Sequence, residues 1–430
     1  MKKHFILILS AIFSLNLFTS EACLARVYLD ITSADLKKLS IAIPAFIDSA
    51  APGGAITDKG QKMADLVGKA LTFHGFISVI PASSYQNSRD ANWTALGADY
   101  VIFGSYGNEG GEMVLEGKIM DTNKGAMLAG KRYRAPWLKN RGTLLKLSDE
   151  IIYQLTGEQG VSNTKIAFVS DKTGKKEIYL ANVLGDTIRQ VTRHRSLAIS
   201  PRFSPDGGRL AYTSYHRGNP NLYITDLSQD KTTKAISWQK GLNMAPAWSP
   251  DGRALVTTLS KDGNADLYLM STTGRILDRL TTNQGISCSA SWAPDGRRFA
   301  FVSDRTGNPQ VYILDVGTRQ VQRLTYNGKE NTTPSWSPKG DFIAYTGLTD
   351  NGYQLFIIRP EGGDPTQLTQ YWGNYESPSW SPDGRQIVLS RGRGEQKELC
   401  RIFLKGQGLT PLFPMKGSQT YPQWSPRLPY

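Results

Sequence analysis

The chain has 430 residues and a formal net charge of +13, from 50 Lys and Arg against 37 Asp and Glu. The basic residues are scattered through turns rather than clustered with stacking aromatics, so this charge does not indicate nucleic-acid binding. Attraction to an acidic partner or an anionic envelope surface fits it better.

Residues 1–25 have the features of an export signal. Two lysines follow the initial methionine, and an apolar run over 5–18 is too short to span a bilayer. Small residues allow cleavage after Ala22 or Ala25. Cys23 leaves a lipoprotein interpretation open, although an acidic residue two places before it is a poor neighbour for that processing. No later stretch is apolar enough for a membrane span, so we predict an exported protein without stable membrane insertion.

Residues 26–158 predict an α/β domain of sufficient length for its own core. Strand patterns occur at 39–46, 76–80, 100–105, 113–120 and 127–134. Helical patterns occur at 57–74, behind a possible Thr57 cap, at 91–97 and at 138–155.

From residue 159 to 430 the sequence repeats. An aromatic residue opens a Ser-Pro-Asp-Gly-like turn at a spacing of 44 or 45, at Phe203, Trp248, Trp292, Trp336, Trp380 and Trp424. Four strand patterns fall within each unit. This period is typical of a β-propeller, whose blades are four-stranded sheets packed on their neighbours. We therefore predict an all-β six-bladed propeller.

The phase of the repeat predicts how the ring closes. The first unit, 166–192, lacks the strand that leads into the aromatic, whereas the chain ends with a surplus copy at Trp424. Pairing of these two parts would complete one blade and remove the exposed sheet edges of an open array.

The mature chain keeps two cysteines, Cys288 and Cys400. The repeat places them in different strands of blades that are not neighbours. A disulfide requires Cα atoms within about 7 Å, so we expect two free, mostly buried thiols.

Catalytic motifs do not stand out. There is no Gly-x-Ser-x-Gly motif, and His74, His194 and His216 have no metal-binding spacing. The acids of the Ser-Pro turns are turn formers in our interpretation, because Lys339 and Arg427 replace them in two copies. These acids are Asp206, Asp251, Asp295 and Asp383. We therefore expect no enzyme activity, no cofactor and no metal.

These motifs resemble the TolB family, periplasmic components of the Tol-Pal system of Gram-negative bacteria. The resemblance includes the domain order, the P-x-W-S-P-D-G and I-A-[FY]-x-S repeats, the terminal Trp424–Arg427 copy and the segment Trp93–Asp99. It covers essentially the whole mature chain. The Ser-Pro-Asp-Gly repeat alone also occurs in peptidases and other propellers.

The resemblance implies binding of Pal, the peptidoglycan-associated lipoprotein, at the channel mouth on one propeller face. Residues three to five before each aromatic would line that site: Asn243, Met244, Cys288, Ser289, Asn331, Thr332, Tyr375, Glu376, Gln419 and Thr420. Family members often carry a Thr-Glu pair where this chain has Cys288 and Ser289.

The resemblance also implies binding of the inner-membrane protein TolA by the mature N-terminal segment. Its residues, Arg26, Val27, Tyr28, Leu29, Asp30 and Ile31, alternate like an edge strand. Release of this segment would relay the Pal-binding state toward TolA in cell-envelope integrity, outer-membrane constriction during division and protein import. The alternative is an exported propeller hydrolase or a glycan- or peptide-binding protein, which grouped carboxylates in the channel would favour.

Overall fold

A computed structural model describes residues 38–51, 54–228, 233–392, 394, 396–404 and 408–430. These residues form an α/β domain followed by a six-bladed β-propeller, which confirms the predicted fold class. The signal segment and the predicted TolA-binding residues, Arg26–Ile31, lie outside the described residues.

The α/β domain has one mixed sheet and two helices. Its elements are β1 (Leu39–Ala42), β2 (Ile47–Asp48), β3 (Ala55–Ile56), α1 (Asp58–Thr72), β4 (Ile77–Val79), β5 (Tyr100–Glu109), β6 (Glu112–Asp121), β7 (Ala126–Ala135) and α2 (Asn140–Thr156), with 3₁₀ turns at Ala82–Ser84 and Trp137–Lys139. Strands β1 and β2 both pair in parallel with β5, while β6 runs antiparallel along its other edge. β4 and β7 lie outside β1 and β6.

Two local predictions in this domain need correction. The predicted strand 39–46 ends early, at Ala42, and β2 begins only at Ile47; Pro44, which has no N–H to donate, lies in the gap between them. The predicted helix 91–97 closes only a single turn, from Leu96 N–H to the carbonyl of Asn92 at 3.1 Å. Gly97, at φ +71°, ends it. The Thr57 cap is confirmed, since its hydroxyl accepts from Gly60 N–H at 3.1 Å.

Each propeller blade is a four-stranded antiparallel sheet. The strands of each blade are given from the axis outward. Blade 1 has Gln419–Trp424, Lys165–Ser170, Glu177–Asn182 and Ile188–Gln190, and blade 2 has Ala198–Phe203, Arg209–Arg217, Asn219–Asp226 and Thr233–Ser237. Blade 3 has Asn243–Trp248, Ala254–Leu259, Asp266–Ser271 and Ile276–Arg279, and blade 4 has Ser287–Trp292, Arg298–Ser303, Gln310–Asp315 and Val321–Arg323. Blade 5 has Asn331–Trp336, Ile343–Thr349, Gly352–Ile358 and Thr366–Gln367, and blade 6 has Asn374–Trp380, Gln386–Gly392, Lys397–Phe403 and Leu409–Pro411.

The ring closes as the sequence predicted. The C-terminal strand Gln419–Trp424 pairs antiparallel with Lys165–Ser170 and supplies the innermost strand of blade 1. The two ends of the propeller therefore lie in one sheet, and separating them would break a ladder of backbone hydrogen bonds.

The repeated aromatic residue joins neighbouring blades. Indole Nε1 of Trp248 donates to the carbonyl of Arg202 in blade 2 at 3.1 Å, and Trp292 donates to Ala247 in blade 3 at 3.2 Å. Trp380 repeats this bond to Ser335 at 2.8 Å. A large side chain thus packs between blades while its polar atom remains hydrogen-bonded.

The Ser-Pro-Asp-Gly turns agree with a structural role for their acids. In blade 3, the carboxylate of Asp251 accepts from the Ser249 hydroxyl at 2.5 Å and from Arg253 N–H at 3.0 Å. These hydrogen bonds lower the pKa of Asp251. The carboxylate is therefore occupied in holding the turn.

An apolar interface joins the two domains. Phe73 and Leu145 of the α/β domain belong to the same buried cluster as Phe168, Phe413 and Trp424 of the propeller. Within the described ranges, no helix combines the length and the apolar character needed to cross a bilayer.

Candidate partner-binding face and axial channel

The six innermost strands all begin on one face of the propeller, and successive inner strands contact one another around the ring. We call this face the leading face. It is formed by the loops 193–197, 238–242, 282–286, 326–330, 370–373 and 414–418, together with the turns between second and third strands, such as 171–176. The Ser-Pro turns lie on the opposite face, which we call the turn face.

Large apolar side chains project from the leading face. Trp238 is 69% exposed, Tyr326 69%, Tyr371 75% and Trp372 67%. Leu242 and Ile286, on two further loops of this face, are also exposed. One exposed apolar residue needs no explanation, but aromatics concentrated on one face indicate an interaction surface.

The leading face also carries basic side chains that form no ion pair. Among the described residues, its exposed basic side chains without an ion pair include Lys172, Lys175, Lys176, Arg193, Arg195, Arg217, Lys240, Lys329 and Lys416. Exposed cations that lack internal partners favour an acidic binding partner.

Several acids of this face are engaged within the protein. The carboxylate of Asp171 accepts from Ser418 N–H at 2.7 Å, and that of Asp304 accepts from Ile286 N–H at 2.6 Å. Glu376 is ion-paired with Lys397. The oxygens of these acids are therefore occupied within the protein, although the two aspartates keep their negative charge.

The ten predicted Pal-contacting residues lie together at the beginning of the innermost strands, but not all reach the surface. Asn243, Asn331, Tyr375 and Gln419 are buried. Burial conflicts with direct contact by these side chains. Their shared position, five residues before the aromatic, is an internal one.

The buried amides hold the loops from below. The Asn243 side chain accepts from Gln239 N–H at 2.9 Å and donates to the carbonyl of Gln239 at 2.8 Å. Asn331 donates to the carbonyl of Asn327 at 2.7 Å. Because the two amides fix the loops that carry Trp238 and Tyr326, their role is to position the exposed aromatics.

The other predicted residues are half-buried. They are Met244, Cys288, Ser289, Thr332, Glu376 and Thr420. Of the ten, only Ser289 lines the axial cavity in the described structure. Cys288 and Cys400 are free thiols, and burial raises the pKa of both.

A ring of β-bulges explains why the channel is lined by other residues. Each innermost strand shifts register three residues before its aromatic, at Ser200, Ala245, Ser289, Thr333, Ser377 and Tyr421. All six have φ between +47° and +57°, which is unusual for residues other than glycine. The bulge turns the preceding residues away from the axis, so the cavity is lined from the bulge to the turn face.

The axial cavity encloses about 480 Å³. Serines, prolines and the repeated tryptophans form most of its wall, and its charged residues are Arg202 and Arg427. No Asp or Glu occurs among these described lining residues. The grouped carboxylates that a propeller hydrolase would need are therefore missing from this wall.

The histidines are engaged in packing. His74 is buried at the domain junction, and His194 lies against His216 with ring centroids 4.2 Å apart. Burial, together with a smaller effect of the neighbouring His216, lowers the pKa of His194 to about 4. In the part of the chain that the structure describes, no group of His, Cys, Asp or Glu is arranged to hold a metal ion.

The exposed aromatics of the leading face were not predicted from the sequence. Trp238 and Tyr326 occupy the same place in their repeats, immediately after the Ser or Thr that ends the fourth strand pattern. Tyr371 and Trp372 lie one and two places further along. An aromatic residue at a loop position, outside the strand periodicity, was the signal that could have identified this surface.

The fold defines a two-domain protein of the β-propeller class, with exposed aromatic and basic side chains on the face around the channel mouth. A family model described as the TolB beta propeller domain matches residues 152–428, and one described as the TolB amino-terminal domain matches 27–128. The chain belongs to the TolB family.

Relatives and a solved structure support this assignment. The chain is 42% identical over 215 residues to the Tol-Pal system protein TolB of Desulfotalea psychrophila, covering 50% of this chain and 49% of the relative. It is 37% identical over 180 residues to the TolB homolog of Chlorobium chlorochromatii, covering 40% of this chain and 41% of that one. The chain spans about half the length of the curated relatives it matches. The crystal structure of TolB from Acinetobacter baumannii superposes with a TM-score of 0.77 at 27% identity, over 91% of this chain and 97% of the other.

Proposed function

We propose that this chain is the TolB component of a Tol-Pal system, a periplasmic adaptor that binds other envelope proteins and catalyses no reaction. The observation that carries the proposal is the group of exposed aromatics on the leading face, at Trp238, Tyr326, Tyr371 and Trp372. Membership of the TolB family and the names of its relatives support the assignment.

In this proposal Pal docks on the leading face. Aromatic anchors surrounded by polar groups are the usual centre of a specific protein interface. The free basic residues, such as Lys240 and Lys329, would steer an acidic partner surface toward these anchors. Raising the ionic strength should therefore lower the association rate constant while it changes the dissociation rate constant much less.

The half-buried residues form the floor of this interface in our proposal. Met244, Thr332 and Thr420 would contact Pal between the aromatic anchors. Cys288 would take the same place in blade 4, and Glu376, held by Lys397, would take it in blade 6. Asn243, Asn331, Tyr375 and Gln419 would act from below by fixing the loops.

The mature N-terminal segment would bind TolA. Arg26–Ile31 has the alternation of an edge strand, which can pair with a sheet of its own protein or of a partner. A segment that is docked with Pal bound and free otherwise would connect the two membranes in envelope integrity, constriction during division and protein import. Removing residues 26–31 should abolish TolA binding and should also weaken Pal binding, because a segment that docks when Pal binds is coupled to Pal affinity; retained TolA binding would move this site elsewhere.

Calorimetry with the soluble domain of Pal from the same organism tests the docking proposal. Trp238→Ala and Tyr326→Ala should each weaken one-to-one binding tenfold or more, which is about 1.4 kcal/mol. Leu138→Ala is the matched control, because Leu138 is 99% exposed but lies on the α/β domain. Unchanged affinity in both aromatic variants would refute the assignment of this face, and absence of any binding by the wild type would refute the adaptor function.

A further inference from the structure

The propeller channel has an unusual balance of charge. Its lining contains Arg202 and Arg427 but no carboxylate among the described residues. Hard cations such as Ca²⁺ take oxygen ligands, of which carboxylates carry the opposite charge. A channel with two guanidinium groups and no acid suits an anion instead.

Arg427 uses all three of its guanidinium nitrogens in hydrogen bonds within the protein. Its Nε donates to the carbonyl of Gly160 at 3.0 Å, its Nη2 to that of Gln159 at 2.7 Å, and its Nη1 to that of Pro382 at 3.3 Å. These bonds tie the end of the chain to the linker between the domains. Arg427 therefore has a structural role and little capacity left for a ligand.

Arg202 is different. Its guanidinium has five N–H donors. Among the described residues it makes one side-chain hydrogen bond, from Nη1 to the carbonyl of Pro201 at 3.0 Å, and no ion pair. A partly buried cation with most of its donors unused is expensive to desolvate, and a bound anion would offset that cost. Burial lowers the pKa of Arg202 to about 10, so the group is still charged at neutral pH.

Comparison of the six repeats shows that Arg202 is the only charged residue at its position. The equivalent position, one residue before the aromatic, holds Ala247, Ser291, Ser335, Ser379 and Gln423 in the other blades. Small or neutral side chains satisfy the fold at this place, so blade packing does not require a cation. The backbone carbonyl of Arg202 makes the inter-blade bond to Trp248, and any residue could supply that carbonyl.

Two serine hydroxyls lining the same channel can add donors. Oγ of Ser291 accepts from Trp336 N–H at 2.9 Å, and Oγ of Ser379 accepts from Trp424 N–H at 2.9 Å. Because a hydroxyl has one donor and these oxygens already accept from the backbone, their hydrogens are available to a ligand. The volume of about 480 Å³ is within the range of small-molecule sites.

We propose that the axial channel binds a small oxyanion, a molecule with a carboxylate or phosphate group, through the guanidinium of Arg202 and the hydroxyls of Ser291 and Ser379. A carboxylate and a phosphate each offer paired oxygens that match the planar fork of the arginine guanidinium. This site lies in the channel wall and does not depend on Pal docking on the leading face.

Calorimetry of the whole protein without any partner protein tests the site. Orthophosphate and citrate are titrated separately in chloride buffer at constant ionic strength. We expect saturable one-to-one binding of at least one of them, and tenfold or greater weakening by Arg202→Met. Stronger binding of orthophosphate would identify the phosphate group as the preferred ligand, and stronger binding of citrate would identify the carboxylate. Binding of neither anion would overturn the proposal.

Arg253→Met is the matched control, because Arg253 is an exposed arginine on a neighbouring Ser-Pro turn. It should change affinity less than twofold. If Arg202→Met binds like the wild type, or if Arg253→Met weakens binding equally, the anion is held elsewhere and the proposal is wrong. Arg202→Lys keeps the charge but loses the planar fork, so it should weaken binding about threefold to tenfold; unchanged affinity in this variant would overturn the role of the guanidinium even if Arg202→Met did not fold.

Discussion

Nε2 of His74 accepts a hydrogen bond from the backbone N–H of Val161 at 3.1 Å, and Nδ1 of the same ring donates to the carbonyl of Ala70 at 3.0 Å. The end of helix α1 is thereby joined to the segment that leads into the propeller. Together, the two bonds require a neutral imidazole with its proton on Nδ1, because Nε2 can accept only when it carries no proton. The domain junction is therefore sensitive to protonation.

Stability should decline as the pH falls below the unfolded pKa of histidine. Burial lowers the pKa of His74 from 6.5; Asp149, at 4.0 Å, and Asp383 oppose this shift, and Arg385 adds to it. Because the pKa of His74 is lower in the folded protein than in the unfolded chain, the stabilisation by neutral His74 is complete above pH 6.5. It is lost as the pH falls toward the pKa of the folded state. His194, with its pKa lowered to about 4, contributes in the same direction.

Urea unfolding between pH 7.5 and pH 5 measures this dependence. His74→Leu should lower stability at pH 7.5 by about 1–3 kcal/mol, because the Val161 N–H loses its acceptor inside the protein. Its stability should then fall less steeply with pH than that of the wild type, since of the three histidines whose pKa is lowered only His194 and His216 remain. Parallel pH profiles would show that His74 is not the group that titrates.

Replacing Gly75 by alanine should destabilise the protein more than the same replacement at Gly111, although the two glycines have the same backbone conformation. Gly75 has φ +84° and Gly111 has φ +86°. A Cβ at Gly75 would lie 2.3 Å from the Phe403 ring across the domain interface, whereas a Cβ at Gly111 meets nothing within 4 Å. Gly111→Ala should cost about 1–2 kcal/mol from the backbone alone, and Gly75→Ala about 1–3 kcal/mol more from overpacking.

Denaturant unfolding of both variants separates the two costs. Equal destabilisation would mean that the Phe403 ring moves aside freely. The double variant Gly75→Ala with Phe403→Ala should relieve the clash while it loses the packing of the ring.

Ala245, one of the six β-bulge residues, should tolerate replacement by glycine. Ala245 has φ +50°, so Ala245→Gly should be neutral or stabilising by up to about 1 kcal/mol, because the relief of left-handed strain outweighs the added entropy of the unfolded chain. Ala300→Gly, in a regular buried strand, should destabilise by about 1 kcal/mol or more. Thermal melting compares the two, and equal losses would contradict strain at the bulge.

The sequence was informative about the propeller because each blade repeats the same short-range pattern. The aromatic, the Ser-Pro turn and the surplus Trp424 copy predicted both the blade number and the closure, which the pairing of Gln419–Trp424 with Lys165–Ser170 confirms. In the α/β domain, where nothing repeats, the helix expected at 91–97 closed only one turn.

The candidate site was harder to predict for a physical reason. The bulge residues, such as Ala245, Thr333 and Tyr421, share a left-handed backbone but no common side chain, so their conformation leaves no pattern in the sequence. Without the bulge, the preceding residues seemed to face the channel. The amides Asn243 and Asn331 looked like binding groups, yet they are buried and hold the loops that present the aromatics.

Hydrogen exchange of the protein with and without the soluble domain of Pal shows whether Pal docks on the leading face. We expect protection at backbone amides of 238–244, 326–332 and 370–376, with little change on the Ser-Pro turns of the opposite face. Protection concentrated on those turns or on the α/β domain, with the leading face unchanged, would contradict this expectation.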